Sequence, residues 1–394
     1  MRLALAGAFA FPAPQGSQVY ARDQALALSD AGAEVCFVCY GAGFGAVPPQ
    51  LEVQRIPRRV SPGGFRSGPR AAKLVADAAL TWHLHRLHRQ RQLDAILAHN
   101  AEAAAAALAV RWLGGPPVVY VAHTLLAEEL SAYAPGPLRR PSDALGRGVD
   151  AAIARRVDAI IALGGFAAER LRRFACGPVA VIPPGIAAPP PPRPETIASA
   201  SARHGVEPGG FALYAGNLDR YQEPALLREL TDRLAPRPLL VATHDPVPRA
   251  ARGLRIAAVS DEDWRPLLHG AAVAVATRAR RGGFPIKLLN YMEAGRAIVA
   301  RQEQVDTLRH GESAWLLPAR ADAAAFADAV RTLLEDPVRR EALGRGARRA
   351  AILHHDWAAL ATRTLALVER ARGGTRARRG DTPAEAMKTG TEDS

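Results

Sequence analysis

MRLALAGAFAFPAPQGSQVYARDQALALSDAGAEVCFVCY, residues 1–40, is the stretch that decides the fold. One arginine followed by an apolar run imitates a short signal peptide. The residues beyond that run argue for a buried first strand instead. Residues 17–31 have helical patterning, and residues 34–40 are a second apolar strand, so the stretch reads as strand, helix, strand. A parallel pair joined by a crossover helix needs this order.

The same alternation continues outward. Further strands are predicted at 95–99, 118–122, 159–163 and 179–183, beside those at 3–9 and 34–39. Helices are predicted at 17–31, 71–90, 101–112 and 166–175. Short continuous apolar strands between amphipathic helices imply a parallel sheet covered on both faces. The run PPGIAAPPPPRPE, residues 183–195, holds seven prolines. Proline lacks the amide donor and fixes φ, so this run reads as a stiff linker. Beyond it the pattern restarts, with strands at 211–214, 239–242, 254–258, 273–276 and 298–300. Helices are expected at 223–234, 261–269, 286–294, 322–334, 338–351 and 357–372. The expected organisation is a first domain over 1–187, a linker over 188–196, a second domain over 197–372 and a disordered tail over 373–394, which has almost no apolar content.

The chain has 394 residues, enough for two cores, and a net charge of +13. Of its 51 basic residues only Lys73, Lys287 and Lys388 are lysine. Such a surface suits anionic membranes, nucleotide-sugar phosphates or nucleic acid alike, so charge selects no partner. No recognisable nucleic-acid module is present, and nucleic acid is not an expected partner. No apolar run approaches the roughly 18 residues that span a bilayer. Cys36 and Cys39 lie three apart in a strand, on opposite faces, and read as inert buried thiols suited to a reducing cytoplasm.

In open α/β sheets ligands bind beyond the carboxyl ends of the strands. Gln15, Gly16 and Ser17 follow the first strand, where glycine permits close approach, helix amides favour an anion, and Ser17 suits an N-cap. No G-x-G-x-x-G stands there, which argues against a dinucleotide enzyme. His123 ends the strand VVYVA, and His99-Asn100 ends another, so both reach the same rim. The second domain opens with FALYAGNLDRYQEP, in which Gly216, Asn217, Arg220 and Gln222 follow a strand. The most specific stretch is GGFPIKLLNYMEAG, residues 282–295. Gly283, Phe284 and Pro285 open a helix at Ile286, and Lys287 and Asn290 share one helix face. In a chain that writes arginine almost everywhere, Lys287 suggests that a compact ammonium is wanted, as a diphosphate would require. Asp261-Glu262-Asp263 contains a metal-like D-x-D, but Ser260 with Asp263 makes it a capped helix start. The helix over 71–90 mixes Leu74, Leu80, Trp82, Leu84 and Leu87 with Arg86 and Arg89. It reads as packed on its sheet, the alternative being contact with an anionic bilayer.

Together the turn at Gly16, His123-Thr124, VIPPGI, YAGNLDRYQ and GFPIKLLNYMEAG resemble the retaining glycosyltransferases of the family 4 type, up to about Arg372. The resemblance implies two Rossmann-like, doubly wound domains facing a cleft (GT-B), with the last helix crossing back to the first domain. It implies a nucleotide-sugar donor, held by Gly16, Gly216, Asn217, Arg220, Gln222, Gly283, Phe284, Pro285, Ile286, Lys287 and Asn290. A saccharide or lipid-linked acceptor would meet Gln15, Ser17, His99 and Asn100. His123 would be the catalytic residue, contacting the donor sugar or stabilising the transition state. Neither cofactor nor catalytic metal is implied, and cell-surface glycan or polysaccharide biosynthesis is the expected setting, in the cytoplasm or at the inner face of the membrane. The sequence departs from the family pattern at four places. Asn217 and Gln222 stand where a basic pair usually follows the first strand of domain two, and Gly282 and Asn290 where two glutamates usually stand. Lys287, Arg220, Arg278, Arg280 and Arg281 are the cations available to replace the pair. The competing reading is a non-catalytic scaffold of the same fold that binds a sugar nucleotide or a partner protein.

Overall fold

The computed structural model describes residues 1–13, 15–41, 43, 45–62, 71–134, 136–187, 189–218, 222–243, 256–278, 283–302 and 305–379. The chain divides into two compact units. One comprises Met1–Leu163 and Ala167–Ile182 and takes back the chain from Ala361 onward; the other comprises Gly164–Phe166 and Pro183–Leu360.

The strands of the first unit are β1 (Arg2–Ala10), β2 (Glu34–Tyr40), β3 (Glu52–Arg55), β4 (Ala95–His99), β5 (Val118–Ala122), β6 (Ala159–Ala162) and β7 (Val179–Val181). They form one sheet in the order β3-β2-β1-β4-β5-β6-β7, with every pair parallel. Helices α1 (Gly16–Asp30), α2 (Ala71–Arg91), α3 (Ala101–Trp112), α4 (Leu126–Tyr133), α5 (Arg139–Ala154) and α6 (Gly165–Arg172) fill the crossovers. The opening stretch is thus the expected β-α-β, and β1 is buried along most of its length. Cys36 and Cys39 are buried in β2 and free, and burial raises both thiols to about 12. In α2 the stripe Ala76, Leu80, Leu84 and Leu87 is buried, as the packed-helix reading expects.

The second unit carries β8 (Ala212–Ala215), β9 (Leu239–Thr243), β10 (Ile256–Ala258), β11 (Val273–Ala276), β12 (Ala297–Arg301) and β13 (Trp315–Leu317). Their order is β10-β9-β8-β11-β12-β13, again all parallel. Its helices are α7 (Pro194–Arg203), α8 (Pro224–Leu234), α9 (Asp261–Gly270), α10 (Ile286–Glu293), α11 (Ala323–Glu335) and α12 (Pro337–His354). Alternate residues of each strand enter two separate cores: Leu213, Ala215, Ala274 and Ala276 on one face, Ala212, Tyr214, Val273 and Val275 on the other. The last helix, α13 (Trp357–Arg379), carries the chain into the first unit, where Arg363 donates to Val181 O (2.6 Å) and Arg372 pairs with Asp94 (2.8 Å).

Three local differences from the sequence reading have physical causes. Proline is tolerated at the first helical position, where an amide has no partner to lose, so α7 begins inside the proline run at Pro194. The helix α1 starts at Gly16 with Gln15 at its N-cap, which places Ser17 inside the first turn rather than at the cap. The helix α13 persists to Arg379, past the expected start of the tail, and residues 380–394 lie outside the described residues.

Both sheets reverse direction once, between β1 and β4 in the first unit and between β8 and β11 in the second. Beyond such a reversal the connections leave on opposite faces, and a crevice opens at the carboxyl ends. In the second unit α10 closes beside that point. Gly295 ends it at φ +63, and the amides of Gly295 and Arg296 donate to Met292 O and Tyr291 O (both 3.0 Å). Gly344 of α12 is packed so tightly on this turn that a Cβ there would stand 2.1 Å from Gly295 O. Gly344→Ala is therefore expected to cost about 1–3 kcal/mol through overpacking. A thermal melt of the variant checks this; an unchanged melting temperature would show that the turn yields freely.

Candidate functional site

The reversal point of the second unit is built around one amine. Strand β8 runs ALYA into Gly216, whose φ of +122 is rarely open to a residue with a Cβ. The Gly216 backbone lies against Lys287 of α10, since a Cβ there would meet both Cε and Nζ at 3.2 Å. Lys287 Nζ donates to Tyr214 Oη (2.8 Å) and to Gln222 Oε1 (3.1 Å), and sits 4.0 Å from the centre of the Tyr214 ring. Tyr214 Oη in turn donates to Asn217 O (2.6 Å). No carboxylate pairs with Lys287 among the described residues. Burial, and then the nearby Arg278 guanidinium, hold the amine well below the usual lysine range.

The loop that meets this amine is itself anchored. Gln222 is buried, and its carbonyl accepts from Thr277 Oγ1 (2.6 Å). Glu223, left-handed at φ +56, is held by the buried Arg301, which also donates to Thr277 O and to Ala321 O (2.8 Å). Tyr291 of α10 reaches the place where β8 and β11 part. It accepts from Ala215 N (2.9 Å) and lies 3.4 Å from Val275 O, so one hydroxyl serves backbone groups at the end of the ladder.

Several residues singled out from sequence thus meet here: Gly216, Gln222 and Lys287, with Asn217 contributing its carbonyl. Gln222 spends its side-chain oxygen on Lys287. Asn290 is half-buried one turn along α10 from Lys287. Pro285 caps α10 with no side-chain hydrogen bond, and Phe284 packs against the His355 ring (5.7 Å). Gly283 and Ile286 are half-buried beside them. Arg220, Arg280, Arg281 and Gly282 lie outside the described residues. At the D-x-D, Ser260 accepts from Asp263 N (3.2 Å) and caps α9, while the Asp263 carboxylate accepts from Arg203 and His204. The helix-start reading stands.

In the first unit, His99 closes β4, beside the reversal point, and His123 follows β5. Both are buried, and His99 Nδ1 lies 2.9 Å from His123 Nε2. Tyr20 of α1 packs edge-on against His123 (5.1 Å, 86°) and at a tilt against His99. Desolvation pushes His123 down to about 3 and His99 well below the usual range, so both rings are neutral. Asn100, at φ +75, uses Oδ1 to cap α3 through Ala103 N (3.2 Å). Gln15 accepts from Gln18 Nε2 (3.2 Å), and Gly16 is exposed at the start of α1.

Sequence reading missed Tyr214, Thr277, Tyr291, Arg301 and Tyr20. Each stands in an apolar run or at a strand end where its hydroxyl or guanidinium looks incidental. The one available signal was Tyr214 beside a strand-ending glycine, an aromatic body with a polar tip at the crevice rim.

Comparison with known proteins assigns each half. The family model described as Glycosyltransferase Family 4 matches residues 14–189, and that described as Glycosyl transferases group 1 matches residues 213–336. No curated protein matches the chain in sequence. Among solved structures, sucrose-phosphate synthase from Thermosynechococcus elongatus superposes with a TM-score of 0.78 at 20% identity, over 95% of this chain and 100% of that one. HepE of Anabaena, solved in complex with UDP and glucose, gives 0.72 at 16%, over 94% and 99%. WaaG, a glycosyltransferase involved in lipopolysaccharide biosynthesis, gives 0.68 at 15%, over 93% and 99%. At such identities the structural likeness is one of fold, the GT-B architecture; the two family models supply the glycosyltransferase assignment.

The depressed Lys287 carries a pH signature. Its folded pKa lies below the unfolded value of about 10.4, so between the two the unfolded chain binds a proton that the native chain does not. Stability then rises with pH through that window. Lys287→Met removes the titrating group, and its ligand-free melting temperature should climb less steeply from neutral to alkaline pH. Parallel melting curves for the two proteins across that range would contradict the lowered pKa of Lys287.

Proposed function

We propose that this chain, a glycosyltransferase of the GT-B type, moves a sugar from a nucleotide-sugar donor to a saccharide or lipid-linked acceptor with retention of anomeric configuration. The observation that carries the reading is the Lys287 amine, which has no carboxylate partner among the described residues, at the β8/β11 reversal point next to the start of α10, which has no side-chain cap. A nucleoside diphosphate supplies the missing counter-charge. When the sugar–oxygen bond breaks, negative charge builds on the diphosphate, and the ammonium that forms on donor binding, with the helix amides, stabilises it. Gly216, Asn217, Gly283, Phe284, Pro285, Ile286 and Asn290 shape this site, and Arg220, outside the described residues, is a further cation in the sequence for the donor. Gln222 positions the lysine. Arg278 and Lys287 provide the neutralisation, so no metal is required. The UDP and UDP-glucose held by the HepE structures make UDP-sugars the first donors to try.

In the first unit, His123 is the group that meets a sugar hydroxyl, and Gln15, Gly16, Ser17, His99 and Asn100 belong to the same rim. The α2 helix supports peripheral contact with an anionic membrane. Opposite its buried stripe it leaves Leu74 (72%), Val75 (58%) and Trp82 (64%) exposed, and Arg86 and Arg89 follow on the outer turns. Such a surface suits a lipid-linked acceptor and a place in cell-surface glycan synthesis at the inner face of the membrane. Among the described residues no helix is long and apolar enough to cross a bilayer.

The test is a thermal-shift screen of nucleotide sugars followed by release of free nucleotide, with product anomers read by NMR and turnover repeated in EDTA. A donor that raises the melting temperature and turns over is expected, with Lys287→Ala reducing turnover by about 10²–10³-fold. Binding without turnover on any acceptor would point to the non-catalytic scaffold. For the membrane contact, wild type should co-sediment with phosphatidylglycerol vesicles, and Trp82→Glu should not. Equal sedimentation of the two would remove α2 as the contact.

A further inference from the structure

We propose that His99 is a positioning residue that donates its Nδ1–H to His123 Nε2 and so locks His123 as the Nδ1–H tautomer, with that N–H left to meet the sugar. The inference rests on reading His123 as the group that contacts the sugar. It adds to that reading which nitrogen carries the proton and what fixes it there.

Counting protons decides the direction of the bond. Two neutral imidazoles carry two N–H groups on four nitrogens, and the 2.9 Å contact between His99 Nδ1 and His123 Nε2 holds one of them. If His123 donates, His99 must carry its own proton on Nε2. That nitrogen is fully buried and has no hydrogen-bond partner among the described residues, so an N–H would be stranded there. If His99 donates, the stranded atom is only a lone pair. Buried N–H groups without partners are rarer in folded proteins than under-used acceptors, and the second arrangement is favoured. His123 Nε2 is then the acceptor inside the pair, and its proton sits on Nδ1. Tyr20 packs against both rings and keeps them from turning away from this contact. The lock converts an imidazole that could either donate or accept into a fixed donor, which suits a sugar hydroxyl oxygen.

Histidine-selective ¹⁵N NMR reads the tautomer directly, with the His123 signals assigned by their loss in His123→Asn. In the wild type, His123 is expected with Nδ1 in the protonated range and Nε2 in the unprotonated range. His99→Phe keeps a ring but removes the donor, and His123 should then exchange between tautomers. His99→Asn places an amide N–H near the former Nδ1 and should restore the lock. With a donor and acceptor in hand, H99F should lower turnover by about tenfold, the value of one lost hydrogen bond, and H99N should recover most of that loss. A wild-type His123 protonated on Nε2, or a tautomer unchanged in H99F, overturns the proposal. The comparison of wild type with H99N decides the matter should H99F fail to fold. A tautomer released in H99F with no change in turnover would leave the lock standing and remove the role of His123 on which its use depends.

Discussion

A half-buried amine with no anion beside it among the described residues governs the second unit. Lys287 loses hydration and, among the described residues, gains a tyrosine hydroxyl, an amide oxygen and an aromatic face in return. The two oxygens and the ring face answer an ammonium only in part, because desolvating a charge costs several kcal/mol unless an opposite charge answers it. The surrounding features obey that constraint. Gly216 is a glycine because a side chain would push the amine aside. Gln222 is buried because its oxygen must reach the lysine. Arg301 holds Glu223 in a strained backbone conformation so that Gln222 arrives there.

Sheet topology explains why the arrangement sits where it does. A parallel sheet wound in both directions parts its connections at one place, and both units use that place in their own way. In the second, a tyrosine hydroxyl serves backbone groups at the end of the β8/β11 ladder while a lysine waits beside it. In the first, strand-ending histidines are buried against Tyr20 and made neutral. The polarity of the two places differs accordingly: one is deficient in negative charge, the other offers neutral hydrogen bonds.

The sheets were legible from sequence because their central strands are continuous apolar runs, such as AILAH, VVYVA and VAVA, bounded by helices of clear period. Two of the four edge strands, β3 and β13, were not. EVQR in β3 is polar and half-exposed, and WLL in β13 is only three residues long, so neither has the signature of a buried strand. The helix α5 escaped notice because Pro141 stands in its Arg-rich first turn, and α4 because it is a run of only 8 residues. At the site, Lys287 and Gly216 were visible as exceptions to local habit: a lysine in an arginine-rich chain, a glycine at a strand end. Their partners were not, because Thr277, Tyr291 and Arg301 reach the site from separate strands and helices. Only the folded sheet brings them within bonding distance. The four departures from the family pattern also become intelligible at one position, since Gln222 serves the cation that α10 supplies.

The central claim is that a diphosphate restores the charge of Lys287, so binding must draw a proton from solvent. Calorimetric titration of the full chain with its nucleoside diphosphate, in two buffers of different ionisation enthalpy, measures that proton directly. Net proton uptake that grows as the pH is raised toward the usual lysine range, abolished in Lys287→Met, is the predicted result. Tight binding by the wild type with no net proton uptake would contradict the account.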